Sequence, residues 1–284
     1  MNYSIIFYII GWILKLEAIF MFLPGITAVI YGETSGFAFL ITIIICLALG
    51  IPLTWKKPSK KAFYTKEGFV TVALSWIVLS IMGALPFIFS GSIPNPVDAI
   101  FEPVSGFTPT GASILADVEI LPHCVLIWRS FTHWIGGMGV LVFILSLLPL
   151  TGGYHMNLMK AESPGPSVSK LVPKVQSTAK ILYGIYFGLT LILVILLMFG
   201  GMNLFDSLIH AFGSAGTGGF SNYANSIGQL DSAYIDGVIT VFMILFGINF
   251  NLFYLLLLRQ FKPVWKNEEL RTYLAIIATA IALI

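Results

Sequence analysis

The chain has 284 residues, of which 57 % are hydrophobic and only 10 % charged, and its mean hydropathy is +0.93. A soluble domain needs far more polar surface, so a water-soluble enzyme or a nucleic-acid-binding domain is excluded and a polytopic membrane protein is indicated. The formal net charge of +2 carries little information. The placement of the charges carries much more.

Thirteen of the fifteen Lys and Arg residues fall in three stretches, Lys56 to Lys66, Lys160 to Lys180 and Arg259 to Arg271. Segments 31–35, 91–124 and 201–236 hold no Lys or Arg but contain eight of the thirteen acids. Basic loops stay cytoplasmic, so these blocks alternate between the two sides of a membrane.

Taken in chain order, residues 1–10 lack a basic n-region and the apolar run continues to about Ile30, which argues against a cleavable signal peptide. At roughly 20 residues per crossing, the predicted spans lie near 5–30, 36–54, 68–90, 125–150, 181–200 and 235–258, and a seventh starts near 271. An N-terminus inside places every basic block on one face, so the chain is expected to be multi-pass with its N-terminus cytoplasmic. Cys46 and Cys124 give no disulfide framework.

Between the third and fourth spans, and again between the fifth and sixth, the chain repeats itself. Asn95-Pro-Val-Asp98 leads to Thr108-Pro-Thr-Gly111-Ala-Ser113, and 108 residues later Asn203-Leu-Phe-Asp206 leads to Gly216-Thr-Gly-Gly219-Phe-Ser221. Each copy is too short and too rich in glycine to cross a bilayer. Irregular backbone at membrane depth persists only where protein buries it or where it lines a watery path, so each copy is expected to be a re-entrant loop.

Asn95 and Asn203 suit helix N-caps, Pro96 the first helical position, and Asp98 and Asp206 the positive end of a helix dipole. Two half-helices are therefore expected to aim their C-termini, which carry partial negative charge, at a cation. Segments 107–113 and 215–221 contain no Asp, Glu, Lys or Arg. That excludes the acid ring of a divalent-cation filter and the basic ring of an anion filter. Carbonyls and Thr hydroxyls remain, a lining suited to potassium. Packing glycines alone would not require a capped half-helix in front of them, twice.

These residues, with Trp128-Arg-Ser-Phe-Thr-His-Trp-Ile-Gly-Gly-Met-Gly139 and Lys160-Ala-Glu-Ser-Pro-Gly-Pro166, resemble the Trk/Ktr potassium transporters, and specifically their TrkH/TrkG-like membrane subunits. The resemblance implies an all-α membrane fold of repeated span, re-entrant pore loop, span units after an N-terminal two-helix hairpin. It divides the chain into a hairpin (1–55), a first pore unit (62–155), a cytoplasmic connector (156–178), a second pore unit (179–262) and the start of a third (263–284). It implies potassium binding at Thr108, Pro109, Thr110, Gly111, Gly216, Thr217, Gly218 and Gly219. Potassium is then the substrate, with no cofactor and no transition-metal site.

The same resemblance implies an inner-membrane protein, a homodimer, and a cytosolic nucleotide-binding regulatory subunit of the TrkA kind, with no nucleic-acid partner. The family pore uses four loops, so the chain is expected to be the N-terminal part of a longer protein that does not close a pore alone. Pro109 departs from the pattern by removing one N–H from the loop.

Other residues invite other readings. Arg129 is expected to snorkel, with Asp117 or Glu119 in reach, and Lys15 to reach an interface. Glu102 and His210 occupy equivalent positions, where bracing the loop is favoured over tuning the ion. A serine hydrolase built on His210 and Ser214 lacks a nucleophile elbow, and His123, His133 and His155 have no metal spacing. A Ktr-type sodium-dependent subunit and a non-transport scaffold complete the alternatives.

Overall fold

The computed structural model describes residues 1–58, 65–139 and 175–283. The basic turn at Lys60 and Lys61, the connector up to Lys174 and the second half of the 125–150 span lie outside these residues. Twelve α-helices fill the described residues: α1 (Tyr3–Phe20), α2 (Phe22–Tyr31), α3 (Gly36–Trp55), α4 (Thr65–Phe89), α5 (Pro96–Phe107), α6 (His123–Met138), α7 (Val175–Phe199), α8 (Leu204–Ala215), α9 (Ala233–Phe246), α10 (Phe250–Leu257), α11 (Phe261–Trp265) and α12 (Glu268–Leu283). Four stretches are long and apolar enough to cross a membrane, namely Tyr3–Tyr31, Gly36–Trp55, Lys66–Phe89 and Ala179–Phe199. Their outward faces carry Phe37, Leu40, Ile44, Phe187, Leu191 and Ile195 in exposed positions, as a lipid solvent demands.

The first two spans form a hairpin because their backbones can touch. A Cβ on Gly50 would lie 2.9 Å from the Gly11 carbonyl oxygen, so α1 and α3 approach through paired small residues. Buried Ile6, Ile9, Ile13 and Phe39 join a core that continues through Trp128 and Tyr186 to Phe246.

The expected sixth span is not straight. α9 and α10 meet at a break with a bend of 91°, which corrects the single span expected over 235–258. The cause is local. Gly247 closes α9, and the Asn249 side chain accepts from the Asn251 N–H (3.1 Å) and so starts a new helix. α12 braces the corner. Tyr273 donates to the freed Ile244 carbonyl (3.2 Å), and Asn249 Nδ2 donates to Glu269 (3.1 Å). Beyond the break, Leu252, Val264 and Leu270 make a small core of their own.

The hairpin is clamped to the rest of the chain by one side chain from the turn between α2 and α3. Glu33 accepts from the backbone N–H groups of His123 (2.7 Å) and Cys124 (2.9 Å), which open α6, and contacts the His123 ring at 2.8 Å. It acts as an N-cap supplied from 90 residues away, and Tyr31 stacks on the His123 ring beside it (3.9 Å). Burial pushes the Glu33 carboxyl up, but the Cys124 and His123 hydrogen bonds outweigh that and hold it below its ordinary value of 4.5. Its contribution is therefore complete above that value and is lost as pH falls through the depressed native one. Glu33→Ala is expected to lower stability by about 1 kcal/mol at neutral pH. In detergent unfolding experiments the gap from the wild type should narrow as pH falls below 4.5.

Candidate functional site

α5 and α8 are the same helix written twice. Each has 12 residues, about 18 Å at 1.5 Å per residue, so neither spans a hydrocarbon core of about 30 Å. Asn95 accepts from the Val97 N–H (3.0 Å) and Asn203 from the Asp206 N–H (2.8 Å), so both are N-capped as their residue types dictate. Both helices then release the chain into a glycine loop. Gly111 and Gly219 adopt φ of +78° and +80°, a left-handed geometry that a side chain would penalise.

Each loop is tied to the last turn of its helix. In the first, Thr110 N–H donates to the Ser105 carbonyl (2.9 Å), and the Thr108 hydroxyl bonds the Val104 carbonyl (2.7 Å) and the Thr110 hydroxyl (2.8 Å). In the second, the Gly218 and Gly219 N–H groups both donate to the Gly213 carbonyl (3.1 and 3.0 Å). The loops also meet. A Cβ on Gly111 would overlap the Gly218 carbonyl oxygen, so the two backbones touch where only glycine allows it.

All eight candidate residues therefore belong to two adjoining loops. Thr108, Thr110, Thr217 and Gly219 are exposed, Pro109, Gly111 and Gly218 partly so, and Gly216 is buried against the His133 main chain. The described residues contain no cluster of three His, Cys, Asp or Glu able to hold a metal.

Behind the loops lies a polar frame with the same repeat. In the first copy, Glu102 accepts from the Ser113 hydroxyl (2.9 Å) and the Ile114 N–H (3.0 Å). In the second, His210 Nδ1 lies 2.8 Å from the Asp206 carbonyl and must carry the proton, so Nε2 accepts from the Ser221 hydroxyl (3.0 Å). Glu102 and His210 thus both hold the serine eleven residues on, the bracing role favoured from sequence. His210 bonds Ser221 and not Ser214, so the four-residue spacing builds no nucleophile and base.

Asp206 gathers Asn203 (2.7 Å), Asn222 (2.8 Å) and Tyr223 (2.7 Å) at the other end of α8. Burial and the Asp206 hydrogen bond push the Tyr223 hydroxyl up to about 12.

Arg129 does not snorkel. It is 4 % exposed, its Nε donates to Glu102 (2.5 Å), and its Nη1 donates to the Ser221 carbonyl (2.9 Å). Asp117 and Glu119 serve elsewhere, capping a local turn and accepting from the Ala224 N–H respectively. One guanidinium from α6 therefore ties the first short helix to the second loop. The sequence offered one signal of this, a basic residue inside an apolar helix, but its partner lies 27 residues away. Lys15 sits over the Trp12 ring at 4.7 Å.

The profile of TrkH, described as a cation transport protein, matches residues 35–280. The chain belongs to the TrkH family. It is 39 % identical over 288 residues to the Trk system potassium uptake protein TrkH of Escherichia coli (strain K12), an alignment covering all of this chain and 59 % of that protein. The Trk system potassium uptake protein TrkG of the same strain is 35 % identical and covers 94 % of this chain and 56 % of its own length. The crystal structure of the potassium transporter TrkH from Vibrio parahaemolyticus superposes with a TM-score of 0.83 at 30 % identity, over 97 % of this chain and 57 % of that one. This TrkH-family chain thus spans somewhat under 60 % of the length of the relatives it matches.

The buried ion pair of this TrkH-family chain gives a direct test. Arg129→Leu alone leaves the Glu102 carboxylate buried without its counter-charge and is expected to cost about 3–5 kcal/mol. Adding Glu102→Leu should recover a large part of that loss, so a double-mutant cycle followed by unfolding in detergent should show strong coupling.

Proposed function

We propose that this chain supplies two of the filter loops of a potassium uptake protein in the cytoplasmic membrane, with Thr108, Pro109, Thr110, Gly111, Gly216, Thr217, Gly218 and Gly219 facing the ion. The observation that carries this reading is the meeting of two Asn-capped half-helices through glycine loops, at Gly111 and Gly218. Helix C-termini there supply partial negative charge, and the absence of acidic and basic side chains leaves carbonyls and hydroxyls to replace the shell of a weakly hydrated monovalent cation. The relatives named potassium uptake proteins support that choice of ion.

In this reading the short helices enter from the outer face and re-emerge as pore loops. Residues 62–155 and 179–262 are two pore units, preceded by a hairpin at 1–55 and followed by the opening of a third unit at 263–284. The three basic blocks and the N-terminus face the cytoplasm. The connector at 156–178 is the surface on which a cytosolic nucleotide-binding subunit of the TrkA kind would act, and the assembled protein is a homodimer. Potassium moves down its electrochemical gradient, drawn by a membrane potential worth about 2.3 kcal/mol per 100 mV for each unit charge. A hydrolase reading finds no support in the bonding of His210. A scaffold reading does not account for the paired loops.

Complementation of a potassium-uptake-deficient bacterium by the gene that carries this chain tests the proposal. Growth at low potassium is expected from the wild type. Gly219→Asp, which puts an acid and a Cβ at φ +80°, should abolish selective potassium uptake while protein still reaches the membrane. Uptake that is unchanged by Gly219→Asp, but lost with Ser214→Ala, would move the function away from these loops.

A further inference from the structure

The second loop is backed by an aromatic wall that belongs to the other repeat. His133 on α6 is fully buried, and its ring stacks on Phe220, the residue after Gly219, at 3.9 Å and 19°. The Arg129 guanidinium lies over the same Phe220 ring at 3.6 Å. Two planar groups that close to one centroid cannot share a face, so Phe220 is held between the arginine and the histidine. Arg129 and His133 are four residues apart and lie on one side of α6, which lets both reach one ring.

The same imidazole lies directly against the filter backbone. A Cβ on Gly218 would press on its Cε1, Nδ1 and Nε2 atoms, and the Gly216 backbone rests on the His133 main chain. The Gly218 carbonyl is also the group that meets Gly111 of the first loop. His133 therefore sets the depth to which the second loop can retreat from the first. Neither ring nitrogen makes a hydrogen bond of good geometry, although the Ser105 main chain lies near the ring. What the ring supplies is a flat, incompressible surface, not a donor.

We propose that His133 is a specificity-determining positioning residue, whose ring plane, wedged between Phe220 and Gly218, fixes the Gly218 carbonyl for a cation of one size. The proposal rests on the reading of these loops as a potassium filter. Without the wall, the Gly218 backbone gains room behind it. A site that can relax inward and outward loses its discrimination between potassium and the smaller sodium ion.

The test measures potassium and sodium uptake side by side, in potassium-depleted cells expressing the intact transporter, with membrane abundance quantified for each variant. His133→Ala removes the plane and is expected to lower the potassium-to-sodium ratio by roughly tenfold or more, as sub-ångström misplacement of a site does. His133→Phe keeps the plane without the nitrogens and is expected to stay near the wild-type ratio. A fold that merely needed filling would change abundance and leave the ratio alone. A wild-type ratio in His133→Ala overturns the proposal, and so does a Phe variant as unselective as the Ala variant, since that outcome assigns the role to a ring nitrogen. If His133→Ala fails to reach the membrane, His133→Leu against His133→Phe decides: retained selectivity in Leu refutes the plane, and loss in Leu alone supports it. A wild-type protein with no potassium uptake removes the filter reading and this proposal with it.

Discussion

A charge inside a membrane protein must be answered by other groups, because lipid offers none, and in this chain that demand is met at Arg129. Its guanidinium is nearly inaccessible, 4 % exposed, and spends one donor on Glu102 of α5 and another on the Ser221 carbonyl just beyond the second glycine loop. The Glu102 carboxylate, itself fully buried, spends its remaining acceptor capacity on Ser113 and the Ile114 N–H. A pair desolvated to this degree gains little net stability, yet removing either member leaves an unanswered charge. What the pair does is join the first short helix to the second loop through one guanidinium.

This also explains why two near-identical repeats use different residues at one equivalent position. α5 presents Glu102 where α8 presents His210, and each bonds the serine eleven residues later. The first copy faces Arg129 and needs a full negative charge. Past the loops the repeat shifts to an offset of 111 residues, which sets Gly136 on Gly247, so the residue corresponding to Arg129 in the second copy is Thr240, which carries no charge. A neutral imidazole, protonated at Nδ1 by its bond to the Asp206 carbonyl, then braces Ser221 without leaving a carboxylate unpaired.

The parts of the fold legible in the sequence were those written locally. The Asn caps, the first-turn acids and the left-handed glycines at Gly111 and Gly219 follow from backbone chemistry within a few residues, and the twofold repeat made them readable twice. Contacts between distant segments were not readable. Nothing near Arg129 announces Glu102, nothing near Glu33 announces the N-terminus of α6, and a histidine in an apolar helix does not reveal that it stacks on Phe220. The break at Gly247 is an intermediate case. Glycine followed two residues later by Asn249 is a helix stop and a helix start in succession, but an apolar run on both sides outweighed it in the span count.

The two loops turn at equivalent glycines, Gly111 and Gly219, but with different support. The first loop is held from within, by Thr108 and Thr110 bonding each other and the helix they follow, even though Pro109 contributes no N–H. The second has Gly216 and Gly218 where the first has Thr108 and Thr110, is tied to its own helix by the Gly218 and Gly219 N–H bonds to the Gly213 carbonyl, and gains outside support from the His133 ring and the Arg129 bond to Ser221. Both of those outside supports come from α6, a helix of the first repeat. The hairpin in turn fixes the start of α6 through Glu33, and α6 packs on both short helices. α6 therefore joins the hairpin turn, through Glu33, to the wall behind Gly218. Glycine lets the two backbones touch, and with no side chain at Gly216 or Gly218 the second loop takes from α6 the part of its support that Thr108 and Thr110 give the first.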